Sequence, residues 1–408
     1  MDQSFNARNL GRKIKRSDFI RFPDLKKEHY KISLISQAVE FSETSHFTKS
    51  DFNYKYVNNK KVHNAKLLHH DLVIRKANDN IRNRFKIRSS DRNSIINQLR
   101  AILKEQNSYN IYKLDIKSFY ESIHLESISN KIDDDYRLNY RTKNLVSNMI
   151  KSFQDNRHIG LPRGISLSAT ISEIIMEDFD SFLRLNDDIF YHARFVDDIV
   201  IVTSGKEPSN FFQILEKQLP VGLEFNKEKK QIIKVSKGKI NKDRSFSFLG
   251  YEIKINKNNK PNIKEDRLIT LDIARSKVKK IKTRLLKSFI NYQVGGDFKL
   301  LFDRVKLLTS NFSLLDKRKN IEVMSGIYYN YRLIDSDYSS AIKELDLYLK
   351  QLIHSKKNLS SKSSHSLNGV QRSSLLSYSF HNGFEDRHKI KFSPSRQRKL
   401  QRTWKSEK

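Results

Sequence analysis

The stretch His192-Ala193-Arg194-Phe195-Val196-Asp197-Asp198-Ile199-Val200-Ile201-Val202 sets two adjacent carboxylates between apolar, largely β-branched residues. That pattern reads as a tight hairpin with the acids at its turn. Paired like charges are costly to desolvate unless a cation accompanies them. A divalent metal is the usual remedy, and two-metal phosphoryl transfer is the usual chemistry. Asp133-Asp134-Asp135 lacks the apolar flank and reads as a solvated run.

A third acid lies upstream, in Ile111-Tyr112-Lys113-Leu114-Asp115-Ile116-Lys117-Ser118-Phe119-Tyr120. Residues 111–116 read as a short strand that runs into a helix over 118–131. Asp115 alone is as well explained as a cap of that helix. With Asp197 and Asp198 it gives three oxygen donors, which suit Mg²⁺, a hard ion that keeps waters and binds substrate phosphates.

The order of segments extends the reading. Five of them, over roughly residues 75–255, resemble the motifs of the reverse transcriptase palm. Asp115 with Phe119 and Tyr120 resembles the first. Gly160-Leu161-Pro162-Arg163-Gly164-Ile165-Ser166-Leu167-Ser168 resembles the second, and Phe195-Val196-Asp197-Asp198 the third, which usually begins with Tyr. Leu223-Glu224-Phe225-Asn226-Lys227-Glu228-Lys229 and Phe248-Leu249-Gly250-Tyr251 resemble the fourth and fifth. Arg163 departs from the family's usual Gln, and Ala169 from its usual Pro.

The resemblance implies an α+β fold of right-hand polymerase type, with fingers, a palm built on an antiparallel sheet, a helical thumb and a helical C-terminal extension. The expected parts are 1–108 (N-terminal segment and fingers), 109–256 (palm), 257–295 (thumb helix), 296–353 (helical unit) and 354–408 (basic, Ser-rich tail). It also implies roles. Asp115 and Asp197 would bridge two Mg²⁺ ions, Mn²⁺ being the alternative, with Asp198 completing the set and Ile116 contributing backbone. Phe119, Tyr120, Arg163, Gly164, Arg84 and Lys229 would line the nucleotide site. Phe248, Leu249, Gly250 and Tyr251 would grip the primer. Tyr120 stands where the family carries a bulky gate against the ribose 2′-hydroxyl, which favours dNTPs; simple core packing is the competing reading. Lys229 has Lys227 and Lys230 beside it, so a solvated lysine run is the competing reading. For Arg84 it is a basic surface.

Composition agrees with a polyanionic partner. The chain has 78 Lys+Arg against 46 Asp+Glu, a net charge of +32. Such a field adds sequence-independent affinity for phosphate backbones. With no cysteine, disulfides and Cys-ligated metal sites are excluded. There is no membrane-spanning apolar run or signal peptide, so a cytoplasmic location is expected. Residues 266–290 carry Leu271, Ala274, Val278, Ile281, Leu285 and Phe289 at helical spacing among many Lys and Arg. They read as a thumb helix that ends at Gly295-Gly296. The tail reads either as a disordered basic segment or as an RNA-docking one, with Tyr378, Phe380, Phe384, Phe392 and Trp404 as stacking candidates.

Over its whole length the chain resembles bacterial defence-associated reverse transcriptases of the unknown-group class, most of all the smaller polymerase of the type 3 defence system. The features are Gln3-Ser4-Phe5, residues 92–103, residues 115–123 and residues 161–164. That implies anti-phage immunity, a dedicated noncoding RNA as template, a DNA product and a second, larger reverse transcriptase as partner. Two alternatives stand: a template-independent or protein-primed DNA polymerase of abortive-infection type, and a catalytically weak RNA-binding module.

Overall fold

The expected strand at 111–116 is central to a sheet in the computed structural model. The structure describes residues 2–44, 46–57, 59–88, 91–124, 126–153, 160–238, 240–257, 266–316, 321–355, 359 and 364–404. The chain divides into two compact units, Met1–Ile95 with Asn107–Lys237, and Ile96–Gln106 with Gly238–Lys408.

In the first unit, β1 (Phe52–Val57) and β2 (Lys60–Ala65) form an antiparallel ribbon. Next in the chain come β3 (Tyr109–Asp115), β4 (Ile189–Phe195), β5 (Asp198–Thr203) and β6 (Gln231–Val235). They build an antiparallel sheet in the order β4-β5-β3-β6. In β5, Ile199 to Val202 are fully buried, as a continuous apolar run in a central strand should be. Leu114, Ile199 and Ile201 share one core with Leu72 and Ile81 of the helix Leu68–Arg84, Met149 of Tyr140–Lys151 and Ile171 of Ser166–Ile175.

The long helix read over 118–131 is broken. Residues 118–131 fold as Phe119–Ser122 and Glu126–Asp133. The Tyr120 carbonyl, which a continuing helix would use, accepts from Leu161 N at 2.7 Å instead. Further on, the helix Ser166–Ile175 stops at Met176 and the chain restarts as Glu177–Leu185. Glu177, Asp178 and Asp180 then fall in a first turn, where acids suit the positive end of the helix dipole.

The second unit opens with β7 (Arg244–Phe248), β8 (Tyr251–Ile255) and β9 (Ile269–Ile273), an antiparallel sheet in that order. The thumb helix does not begin near 266. Ile269, Leu271 and Ile273 are buried on one face of β9, and the helix runs Arg275–Gly295. Its end is as expected: Gly296 takes φ 71°, and its N–H meets Tyr292 O at 2.7 Å, a left-handed cap that favours Gly. β10 (Asn311–Asp316), β11 (Ile321–Gly326) and β12 (Lys389–Ile390) form another sheet, ordered β11-β10-β12.

The described part of the tail is folded into this unit. It contains the helices Gly369–Leu376, Phe380–Glu385 and Pro394–Arg402. Phe380 and Phe384 are buried, and Phe392 and Trp404 pack on Leu300, Leu307 and Leu400. Trp404 Nε1 donates to Ser288 Oγ at 2.9 Å. The ring of Tyr378 lies 5.3 Å from that of Phe302. Their packing inside the unit removes these aromatics as free platforms for bases. Arg304, fully buried, donates to Leu400 O (3.1 Å), Asn291 Oδ1 (2.6 Å) and Thr403 Oγ1 (2.5 Å), fastening the last helix. No helix among the described residues is long and apolar enough to cross a membrane.

Candidate active site

The sheet register brings the three acids together. Asp115, the last residue of β3, lies opposite Asp198, the first of β5. The β4–β5 hairpin closes through Val196 and Asp197, with Phe195 paired to Asp198. Val196 has φ 62°, a left-handed backbone that a β-branched residue adopts only under strain. Its side chain packs on the main core, which holds the turn in place. Ile116 N donates to Asp197 O at 3.1 Å, tying the turn to the end of β3. The backbone of Ile116 is thus beside Asp197.

Asp115 is buried, 7% exposed. Lys229 Nζ donates to both its oxygens at 3.0 Å. Lys229 is thus the member of the lysine run that meets Asp115. Lys227–Lys229 is a short turn, and Asn226 just before it donates its N–H to Asp115 O at 2.7 Å. Lys230 turns elsewhere, its Nζ 3.9 Å from the centre of the Phe212 ring. The Asp115 bonds raise the Lys229 pKa, against partial burial. Burial raises the Asp198 pKa, and the Asp197 and Asp115 charges add to that, opposed by Lys113 and Lys229.

The donor set is chemically right for a hard divalent ion: three carboxylates on adjoining strand ends, with like charges incompletely balanced. Among the described residues no group of three such ligands already closes round a point. The ammonium of Lys229 supplies the positive charge at Asp115.

The Gly160–Gly164 loop is set by close backbone contacts. A Cβ on Gly160 would lie 2.3 Å from Tyr120 O, and one on Gly164 2.4 Å from His63 O. Gly164 has φ 96°, and His63 N donates to Arg163 O at 2.6 Å. Arg163 binds Glu121 with two donors, Nε to Oε1 at 2.6 Å and Nη2 to Oε2 at 3.0 Å. Its guanidinium carbon stands 5.1 Å from the Tyr120 ring centre. Tyr120 is half-buried, and burial raises its pKa. Phe119 differs: its side chain is sealed in the core, which leaves only its backbone for a nucleotide. Arg84 is the last residue of Leu68–Arg84, and its place at a nucleotide rests on the sequence pattern alone.

The Phe248-Leu249-Gly250-Tyr251 segment belongs to the second unit, where it turns β7 into β8. Phe248 pairs with Tyr251, and Leu249 (φ 46°) and Gly250 (φ 84°) form the turn. Two successive left-handed residues are the mark of a type I′ hairpin. Gly250 O accepts from Ala274 N at 3.1 Å.

One residue of the site escaped the sequence reading. Arg194, on β4, donates from Nη2 to Glu173 Oε2 at 2.7 Å and to Asp180 Oδ2 at 2.5 Å. Its Nη1 also reaches Val196 O at 3.4 Å. It ties the acid-bearing hairpin to the two helices behind it. The signal was present: an arginine inside an apolar strand, and two acids seven residues apart beside an apolar stripe.

Apo telomerase from Candida tropicalis, truncated from its C-terminal domain, is 16% identical with a TM-score of 0.31, over 62% of this chain and 51% of that one. Telomerase from Candida albicans in complex with a TWJ fragment of telomeric RNA is 13% identical with a TM-score of 0.33, over 83% and 54%. The chain thus spans about half the length of these telomerase chains. No curated protein matches the sequence. The family profile described as reverse transcriptase (RNA-dependent DNA polymerase) matches residues 50–253. That span is half of the 408 residues and encloses Asp115, Asp197 and Asp198. The chain therefore belongs to the reverse transcriptase family, the RNA-dependent DNA polymerases, whose fold is of the right-hand polymerase type.

Proposed function

We propose that the protein copies an RNA template into DNA by two-metal nucleotidyl transfer of dNTPs. The register that sets Asp115 opposite Asp198, with Asp197 in the adjoining turn, carries this reading. Asp115 and Asp197 would hold two divalent ions, Mg²⁺ or alternatively Mn²⁺, and Asp198 would complete the set. Bound there, the ions would activate the primer 3′-hydroxyl and balance the charge of the triphosphate. Lys229, raised in pKa and on the same carboxylate, is the candidate proton donor to pyrophosphate. The backbone of residues 116–119, with Arg163 and Gly164, would border the triphosphate. Tyr120 would stand against a ribose 2′-hydroxyl. Phe248 to Tyr251 would meet the primer. Asp197→Asn with Asp198→Asn should abolish dNTP incorporation on a primed RNA template and leave nucleic-acid binding intact. Undiminished synthesis by that variant refutes the site.

The narrower part of the proposal is a role in bacterial anti-phage defence, with a dedicated noncoding RNA as template and a second, larger reverse transcriptase as partner. It rests on the resemblance of residues 3–5, 92–103, 115–123 and 161–164. Sequencing the RNA and DNA that co-purify with the protein tests it. One recurrent RNA with complementary DNA supports it. DNA unrelated to any bound RNA favours the template-independent or protein-primed alternative.

A further inference from the structure

We propose that Glu121 and Arg163 form a clamp that fixes the ring of Tyr120 and so sets discrimination between deoxyribose and ribose. The inference rests on Tyr120 being the sugar gate. It assigns Glu121 as a positioning residue.

Tyr120 needs a support that its own element does not supply. Phe119–Ser122 is a single helical turn, too short to be rigid by its own hydrogen bonds. Its first flank, Ser118, has φ 47°, so the turn begins from an uncommon backbone conformation. The ring is instead held from outside. Arg163 lies 5.1 Å from its centre, and the ring of Phe119 in the same turn has its centroid 5.3 Å away. A guanidinium at that range attracts the ring, provided the guanidinium itself is held.

Glu121 holds it. Two parallel N–H donors on two carboxylate oxygens fix the plane of the guanidinium as well as its position. The arginine backbone is fixed too, through Arg163 O to His63 N. The two glycines that flank the Leu161-Pro162-Arg163 segment fit only without side chains. The arrangement also accounts for an Arg where the family usually has Gln. A cation facing Asp197 would draw on a carboxylate needed elsewhere, and Glu121 supplies the counter-charge. The pair is partly exposed, with Arg163 at 25% and Glu121 at 44%. Such pairs add little to global stability, so the effect should fall on the gate.

The test uses the full-length protein on a primed RNA template, with kcat and KM measured for one dNTP and its rNTP. Glu121→Gln keeps the shape and removes the charge. Its rNTP/dNTP ratio of kcat/KM should rise about five- to tenfold, the scale of one cation–π contact. The gain should lie in kcat for the rNTP, with the urea midpoint unchanged. Glu121→Asp should recover part of the discrimination. Tyr120→Ala should relax it further, and adding Glu121→Gln to Tyr120→Ala should change nothing more. If Tyr120→Ala relaxes discrimination and Glu121→Gln does not, the clamp is refuted and the gate stands. An equal effect of Glu121→Gln with and without Tyr120 also refutes the clamp, as does an equal loss with both sugars. If Tyr120→Ala leaves the ratio unchanged, the gate itself is wrong and the clamp falls with it.

Discussion

Replacing Arg194 by Met removes the guanidinium that Glu173 and Asp180 share while keeping most of the side-chain volume. The Arg194 side chain is 5% exposed, against 34% for Glu173 and 27% for Asp180. Near 4 Å and at an effective dielectric of about 20, each pair attracts by about 4 kcal/mol before solvation is counted. Burying the cation offsets much of the two attractions. The acids, each about a third exposed, recover some water once it is gone. The net loss should therefore sit at the low end for a broken buried pair, about 3 kcal/mol. With a urea slope of about 2–3 kcal/mol/M, the midpoint of the first unit should fall by about 1 M. Urea unfolding followed by near-UV circular dichroism reads this directly. Polymerase activity should fall by more than the folded fraction does, because Arg194 also meets the Val196 carbonyl at the turn that bears Asp197. Adding Glu173→Gln and Asp180→Asn should restore most of the stability, since a fully neutral cluster leaves no charge unpaired. A midpoint shift under about 0.3 M would show the network to be a solvated surface cluster.

Two further outcomes are expected. Gly160→Ala should cost about 1–3 kcal/mol and most of the incorporation activity, because its Cβ would meet the Tyr120 and Glu121 backbone within 2.4 Å; Gly369→Ala, with nothing within 4 Å, should be silent, and equal behaviour of the two by thermal melt and primer extension would contradict the close packing. Burial lowers the pKa of His70, with His69 adding to it and Asp51 opposing, and burial lowers His69 as well. A histidine whose folded pKa is depressed contributes its full stability above the unfolded value, near 6.5, and loses it as pH falls below that. The urea midpoint should thus drop between pH 7 and 5, and His70→Phe should flatten the drop; an unchanged slope in that variant rules the histidine out.

The parts legible in the sequence were those fixed by short-range pattern. An apolar run broken by Asp197-Asp198 marks both a hairpin and a candidate site, because charges there need a reason. Asp115 was legible through its strand. Arg194 was not, because its partners on the two helices are brought to it only by tertiary packing. The thumb shows two periods in competition. Leu271, Ala274 and Val278 fit a helix, yet Ile269, Leu271 and Ile273 also alternate with Thr270 and Asp272, and pairing with β8 decides for a strand. In the tail, serine and lysine content masked Leu375, Phe380, Phe384, Ile390 and Leu400, which are too widely spaced to show a face but are all buried. Truncation at Ser355 would therefore strip apolar contacts from the second unit as well as positive charge.

The path of the chain through the two units has a consequence for its synthesis. Residues 96–106 belong to the second unit, while the chain before and after them belongs to the first. At about 5–20 residues per second, a ribosome takes roughly 7–26 s to get from residue 106 to residue 238. During that interval Ile96, Leu99 and Leu103, fully buried in the finished protein, have none of the later part of their unit to pack against. They form an apolar helical face suited to a chaperone, and a point where a stalled chain would aggregate. Nor can the units be parted by one cut. A fragment ending at residue 237 carries that face unburied, and a fragment starting at 238 lacks it.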